Sequence, residues 1–374
     1  MRALASSDRY SFNFYGSHEE HEGIKVFTGN EHISVYPLRF RTFGKIWRLS
    51  GYWRAVLDPR IKGLIVHAHP YMPAAWAMIV VAKLMRKKTI FWAHGWLKHE
   101  PLLRRKIRSL FYSQADAVLT YATRAIAVAQ AEGYTGKNII PIGNSLDWDK
   151  GQAVLSGILT DPDKRTTSFR RLFPNPSLPL IICSARLTSA CRFDLLMNAA
   201  RLCAERGSPF NVLLIGDGPE RSALEKLASD HKLNVFFYGA CYNEEILGEA
   251  TYQSDLTVSP GKVGLTAIQS LTYGTPVITH GDLDSQMPEV ETIEPGKTGA
   301  FFRRDSAQDL AEVIDKWLSA GRDRATVRSD CMKVIQARWN PHAQKRAIEG
   351  ALDRVFGQSN DTIVGSTPTV RQEC

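Results

Sequence analysis

Long apolar runs are missing from this 374-residue sequence. The longest, Met72 to Ala82, falls well short of the roughly 20 residues a membrane-crossing helix needs and reads instead as a buried helix. The opening residues carry no continuous apolar stretch of the kind that makes a secretory leader. Cysteine is scarce too. The six cysteines, at 183, 191, 203, 241, 331 and 374, include no C-x-x-C pair, which excludes the common zinc and dithiol motifs and fits reduced, buried thiols in a cytoplasmic protein. No cluster of carboxylates offers itself as a metal site, so neither a metal nor another cofactor is expected. Acidic residues are nearly absent from Pro37 to Leu110, where sixteen Lys or Arg meet only Asp58 and Glu100. That stretch holds +14 and leaves −5 for the rest of a chain whose total is +9. A basic segment in a mildly acidic chain predicts one face that meets anions.

What is present is organised around Thr257 to Thr279, TVSPGKVGLTAIQSLTYGTPVIT. Asp255 to Val258 is a short strand running into the turn Ser259-Pro260-Gly261. Leu265, Ile268 and Leu271 then recur at helical spacing until Gly274 ends the pattern, and Thr275 to Thr279 is strand-like again. Strand, glycine loop, helix and strand form the repeating unit of a doubly wound α/β sheet. Gly261 and Gly264 permit close backbone approach. The amides of Val263, Gly264, Leu265 and Thr266 form a candidate anion site at the helix start, with Lys262 beside them. Upstream, Val212 to Ile215 runs into Gly216-Asp217-Gly218-Pro219, a second glycine turn expected on a neighbouring strand at the same sheet edge.

The first half reads more plainly. Strands are expected at Gly63–His67, Thr89–Ala93, Ala117–Thr120 and Ile139–Ile142, and helices at Ala74–Met85 and Pro101–Tyr112. In the second helix Leu103, Ile107 and Leu110 are expected inward, with Arg104, Arg105, Lys106 and Arg108 largely outward. Phe40 to Leu57 alternates aromatics and arginines at near-helical spacing, which suits a packing helix or a membrane-surface helix. Asp161 to Pro179 reads as a mobile connection, and Gln358 to Cys374 as a disordered tail.

Ser184-Ala185-Arg186-Leu187, IGDGPERSALEKLA, GLTAIQSLTYGTPVIT, MPEVE and PGKTGAFF together resemble the C-terminal half of glycosyltransferase family 4. SPGKVGLTAIQSL is most similar to transferases that build bacterial surface polysaccharides. The resemblance implies an α/β GT-B fold, two Rossmann-like domains facing across a cleft. Residues 1–150 would be the acceptor-side domain, 151–178 a connection, 179–332 the nucleotide-sugar domain, and 333–356 a helix crossing back with its break at Trp339-Asn340-Pro341. The family's usual first strand and glycine-rich loop are not visible in the opening thirty residues, where only Ile24 to Phe27 is strand-like. The chain is therefore expected to begin late or to carry a trimmed first domain.

The resemblance also implies the chemistry. A retaining transferase would move a sugar from a nucleoside-diphosphate sugar to a glycan or lipid-linked acceptor. Arg186 and a cation five residues on would clasp the diphosphate; Cys191 stands at that second position and Arg192 follows it. Gly216, Gly218, Lys262, Val263, Gly264, Leu265, Thr266 and Gln269 would contact the donor. The family's paired glutamates fall at Gly261 and Gln269, so the sugar contact is missing at the first and a neutral ribose contact replaces the second. His94 would face the donor sugar across the cleft, although a histidine in that turn also serves to satisfy a backbone carbonyl. The expected partners are the donor, the acceptor and an anionic membrane surface on the cytoplasmic side; nucleic acid is not among them. Two other readings stand beside this one: a sugar-nucleotide 2-epimerase of the same fold, and a non-catalytic membrane-docked relative.

Overall fold

The computed structural model describes residues 1–18, 27–43, 46–67 and 69–357, with the side chains of 40–49 outside that description. Most of Ile24 to Phe27 and the whole tail after Gly357 therefore lie outside the described residues. The strands are β1 (Phe14–Ser17), β2 (Gly29–Asn30), β3 (Ile33–Phe43), β4 (Ile46–Ser50), β5 (Gly63–His67), β6 (Lys88–Ala93) and β7 (Ala117–Thr120). They continue with β8 (Ile139–Pro141), β9 (Leu180–Ser184), β10 (Asn211–Ile215), β11 (Val235–Gly239), β12 (Leu256–Ser259), β13 (Val277–His280) and β14 (Gly299–Phe302).

The second domain is a six-stranded parallel sheet in the order β11-β10-β9-β12-β13-β14. Its strands are short and almost wholly apolar because helices cover both faces. Ile181, Cys183, Val212 and Leu214 face the helices Phe193–Glu205 and Ala307–Ser319, while Leu180, Ile182, Leu213 and Ile215 face Leu247 and Ala250. The order reverses between β9 and β12. A loop leaving β9 turns one way and a loop leaving β12 the other, and the crevice between them is where such sheets bind ligands.

Three expectations change here. First, β10 and β12 are not neighbours, since β9 separates them; the loop that meets Ser259–Gly264 is the one after β9. Second, 161–179 is a docked segment. Phe169 and Phe173 are buried against β9 and β10, Arg170 pairs with Asp255 at 2.6 Å, and Gln253 accepts from the Phe169 amide at 2.9 Å. Third, Phe40 to Leu57 is mainly a hairpin. β3 and β4 pair antiparallel from Arg39↔Ser50 to Phe43↔Ile46, and only Trp53–Leu57 is helical. Alternating aromatics fit the period of a strand as readily as that of a helix, and cross-strand pairing decided the outcome.

The first domain holds the parallel sheet β5-β6-β7-β8 and a smaller sheet in which β1 runs parallel to β3. β1 is a first strand that the sequence did not announce. Phe14 packs with Ile65 and Trp92, and Tyr15 with Leu64 and Val66, so it lies against the larger sheet without hydrogen-bonding to it. The two domains are tied by the last helix, Pro341–Phe356, whose Ile348, Ala351 and Leu352 share one core with Ile90, Leu119 and Ile142. The chain breaks before it because Pro341 has no amide to donate. Asn340 bridges the break by accepting from the amides of His342 and Ala343 and donating to the carbonyls of Ile335 and Gln336.

Phe169→Ala tests the docked segment. It should cost about 3 kcal/mol or more, read as a lowered urea midpoint, because the ring fills a packed core; an unchanged midpoint would return 161–179 to a loose connection.

Candidate functional site

The crevice at the strand reversal is built by backbone contacts that only glycine allows. Gly216 has φ +149°, and a Cβ there would meet the Ala185 carbonyl oxygen at 1.9 Å. A Cβ on Gly218 would meet the Leu187 oxygen at 2.3 Å. These two glycines, expected as ligand contacts, are instead pressed against the 184–188 loop, which also holds them by Leu187 N–H to the Asp217 carbonyl at 3.0 Å. Gly261 closes the other side. A Cβ there would meet the Ala190 oxygen at 2.1 Å, and its amide donates to the Cys191 carbonyl at 3.0 Å. No side chain fits at 261 unless the 189–191 backbone moves.

Held in this way, the loop presents Arg186. Its guanidinium has no hydrogen-bond or ion-pair partner among the described residues, and neither does the exposed ammonium of Lys262. Across the crevice the helix Leu265–Thr272 begins at Gly264, and the Thr266 hydroxyl donates to the Ser184 carbonyl at 3.2 Å, joining the helix start to the end of β9. The amides of Gly264, Leu265 and Thr266 have no acceptor among the described residues. With the helix dipole behind them they are an anion site, flanked by two unpaired cations. Val263 does not contribute: its amide donates to Gln286 Oε1 at 2.8 Å and its side chain is buried. Gln286 is fixed in turn, donating to Thr279 Oγ1 and the His280 carbonyl.

Arg192 lies outside this group. It caps the helix Phe193–Glu205 in a left-handed conformation with φ 54°, and its guanidinium is taken by Asp194 and Asp305. Cys191 turns its thiol to the Arg186 carbonyl at 3.2 Å. Gln269 sits one turn into the helix and opens on a narrow crevice with Leu146, Trp148 and Trp339. Its amide side chain makes no hydrogen bond among the described residues. No Asp-x-Asp motif is expected, yet Asp282 and Asp284 have that spacing; they are engaged by Arg304 and Arg124 respectively.

The first domain meets the second at the carboxyl ends of β6, β7 and β8. His94 follows β6, Tyr121 follows β7 and Asn144 follows β8; the His94 and Tyr121 rings lie 5.0 Å apart. Burial holds the His94 imidazole below its ordinary pKa, against the opposing pull of Glu289. Glu289 comes from the other domain, on the turn Pro288–Thr292, and accepts from Asn144 Nδ2 at 2.5 Å. Two residues on, Glu291 accepts from Thr123 Oγ1 at 2.9 Å and from the Thr123 and Arg124 amides at 3.0 and 2.6 Å, capping the first-domain helix Arg124–Ala131. Neither glutamate was singled out in the sequence. Their place in MPEVE was the available signal, but what they reach lies some 145 to 170 residues away in the chain.

The 102–112 helix also differs from expectation. Leu103 is 72% exposed and Leu110 58%, while the buried side carries Phe111 and Tyr112. Arg108 points inward to a 2.7 Å pair with Glu100. Trp96 and Phe111 are core residues.

Comparison with known proteins places this geometry. The family model described as "Glycosyl transferases group 1" matches residues 164–331. The GDP-mannose-dependent alpha-(1-6)-phosphatidylinositol dimannoside mannosyltransferase of Mycobacterium tuberculosis is 25% identical over 138 residues, 36% of this chain and 35% of that protein. The chain spans about a third to a half of the length of the first curated relatives it matches. Among solved structures, a glycosyltransferase from Rickettsia africae matches with a TM-score of 0.65 at 16% identity over 89% of each chain. Anabaena HepE in complex with UDP-glucose matches with a TM-score of 0.61 at 16% identity over 86% of each. The chain has the GT-B fold, and its residues 164–331 are similar to the glycosyl transferases group 1 family.

Proposed function

We propose that the protein is a retaining glycosyltransferase. It moves a sugar from a nucleoside-diphosphate sugar to a hydroxyl of a glycan or lipid-linked acceptor in surface-polysaccharide synthesis. The observation that carries this reading is the anion site at the strand reversal, with its unpaired amides of Gly264, Leu265 and Thr266 and the free cations of Arg186 and Lys262. Its support from relatives is that one is named for GDP-mannose and a solved neighbour holds UDP-glucose.

In the reaction the bond between the anomeric carbon and the diphosphate oxygen breaks and negative charge builds on the leaving group. Donors already aimed at that charge lower the barrier. The acceptor oxygen bonds to the carbon on the face just vacated, and its proton passes to the departing phosphate, so retention needs no separate base. Charge neutralisation is assigned to the helix start, Arg186 and Lys262, without a metal. Gln269 lies one turn further on, where a ribose follows its diphosphate, and its carbonyl keeps an acceptor for the hydroxyls.

The cleft also holds His94, Tyr121 and Glu289, groups an epimerase could use for proton transfer, so product analysis with and without an acceptor separates the two enzymes. Released nucleoside diphosphate with a glycosylated acceptor supports transfer; an altered sugar formed without acceptor supports epimerisation.

The membrane part of the proposal rests on a patch in the first domain. Leu84 is 78% exposed, and together with Val80, Leu103 and Leu110 it projects from the helices Pro73–Leu84 and Leu102–Tyr112. Lys83 Nζ donates to Gln114 Oε1 at 2.8 Å, and Gln114 donates to the Leu110 carbonyl, which joins the ends of these helices. Arg104 and Lys106 are exposed on the second helix, and Arg86 is exposed just past the end of the first. Leucines among cations suit insertion at an anionic surface, where each charge adds about 1 kcal/mol.

Four outcomes check the proposal. In a thermal-shift screen of UDP, GDP, ADP, TDP and CMP, at least one nucleoside diphosphate should raise the melting temperature. Gly264→Val should fold normally, since the nearest atom to an added Cβ is Met287 Cγ at 3.9 Å, yet lose nucleotide binding because the branched side chain fills the anion site. Arg186→Ala should slow turnover more than tenfold while Arg192→Ala leaves it within twofold; equal effects would place the diphosphate elsewhere. In flotation assays the protein should bind anionic vesicles at low salt and release at high salt, and Leu103→Glu with Leu110→Glu should abolish binding.

A further inference from the structure

One buried glutamine holds the anion site from inside the domain. Gln286 is 4% exposed, and its amide is fully engaged. Oε1 accepts from the Val263 amide at 2.8 Å, while Nε2 donates to Thr279 Oγ1 and to the His280 carbonyl, both at 2.9 Å. Thr279 Oγ1 passes the tie on by donating to the Ser259 carbonyl at 2.7 Å. The loop from Ser259 to Val263 is thus bonded at both ends to one side chain from the segment after β13. Val263 is also fixed by its own side chain, which is buried with Ala267 and Ile268. Lys262, the residue before it, is exposed.

We propose that Gln286 is the positioning residue of the anion site. It withdraws the Val263 amide from the crevice, so that the free donors begin at Gly264 and Lys262 stays on the open side. The chemistry of the side chain suits this task. Three bonds need one acceptor and two donors, which a glutamine amide supplies without charge. A glutamate would keep the acceptor, lose both donors and add negative charge beside a site for anions. An apolar residue of similar size would leave the Val263 N–H and the His280 carbonyl buried and unpaired, and the loop would relieve that cost by moving. Gln286 touches none of the free amides; it acts on them through Val263.

This inference rests on the transferase reading, and one set of titrations separates the two. UDP and GDP are titrated by calorimetry into the parent, Gln286→Leu, Gln286→Glu and Gln253→Leu. Gln253 is the control. It is 1% exposed in the same domain and makes bonds of the same kind, accepting from the Phe169 amide and donating to the Lys164 carbonyl and Ser168 Oγ. It precedes β12, at the end of that strand away from the crevice. Both leucine variants strand buried polar groups and should lower the melting temperature. Only Gln286→Leu should also weaken binding of the nucleoside diphosphate, by about tenfold or more, with Gln253→Leu within about twofold of the parent. Gln286→Glu adds a pH readout that a loosely packed core would not give, and it decides the matter if the leucine variant does not fold. Its affinity relative to the parent should be weak near about pH 8 and recover near about pH 5.5, because protonation restores a donor and removes the charge. Gln286→Leu binding like the parent, an equal loss in Gln253→Leu, or a Gln286→Glu ratio that ignores pH would each overturn the positioning role while the parent's binding leaves the transferase reading standing. A parent that binds neither diphosphate would overturn the transferase reading and this inference with it.

Discussion

The loop from Ser184 to Arg192 is gripped on both flanks by backbone, and the rest of the site depends on that grip. Gly216 and Gly218 press on it from β10, and Gly261 presses from β12. All three contacts are too close for any Cβ, so the spacing is set by bare main chain and not by side chains that could repack. One consequence is that Arg186 is offered to the crevice without a competing partner. Another concerns the positions at which the resemblance implies a lysine and a glutamate: they hold Cys191 and Gly261, which touch each other through the Gly261 amide. The two departures are a single packing change. Charge lost at 191 is not restored by Arg192, which is spent on Asp194 and Asp305.

A second constraint joins the domains. The turn Pro288–Thr292 is short and buried, yet its two carboxylates do different work. Glu291 caps a helix of the first domain through three hydrogen bonds, supported by Arg338 at 3.6 Å and by the neighbouring Arg124–Asp284 pair. Glu289 reaches the end of β8. Carboxylates at a helix N-terminus are stabilising but break readily when the amides can turn to water instead. The apolar core under Pro341–Phe356 holds the two domains together beside these polar contacts.

Much of the second domain was legible because its signals are local. Leu265, Ile268 and Leu271 mark a helix by spacing alone, and the largely apolar strands β9 and β10 show that both faces are covered. The first domain was less legible for physical reasons. Arg39-Phe40-Arg41-Thr42-Phe43 satisfies two periods at once, and only the partner strand chooses between them. Leu103 and Leu110 mark one side of a helix, but not whether that side is the buried one; here the Arg108–Glu100 pair and the Phe111 and Tyr112 rings claim the interior. Glycines announce close approach without naming what approaches. Gly216 and Gly218 therefore looked like ligand contacts when their neighbour is the chain itself. The Val263 amide was lost to Gln286, 23 residues on, which no local pattern displays.

Amide hydrogen exchange on the full chain, with and without saturating UDP and GDP in parallel, tests the central claim most directly, since it reports on the backbone donors themselves. Slowed exchange at Gly264, Leu265 and Thr266 and along 184–188, with Gly216 to Glu220 unchanged, is the result this structure predicts. Protection centred on Gly216 to Glu220, or confined to the first domain, would contradict it.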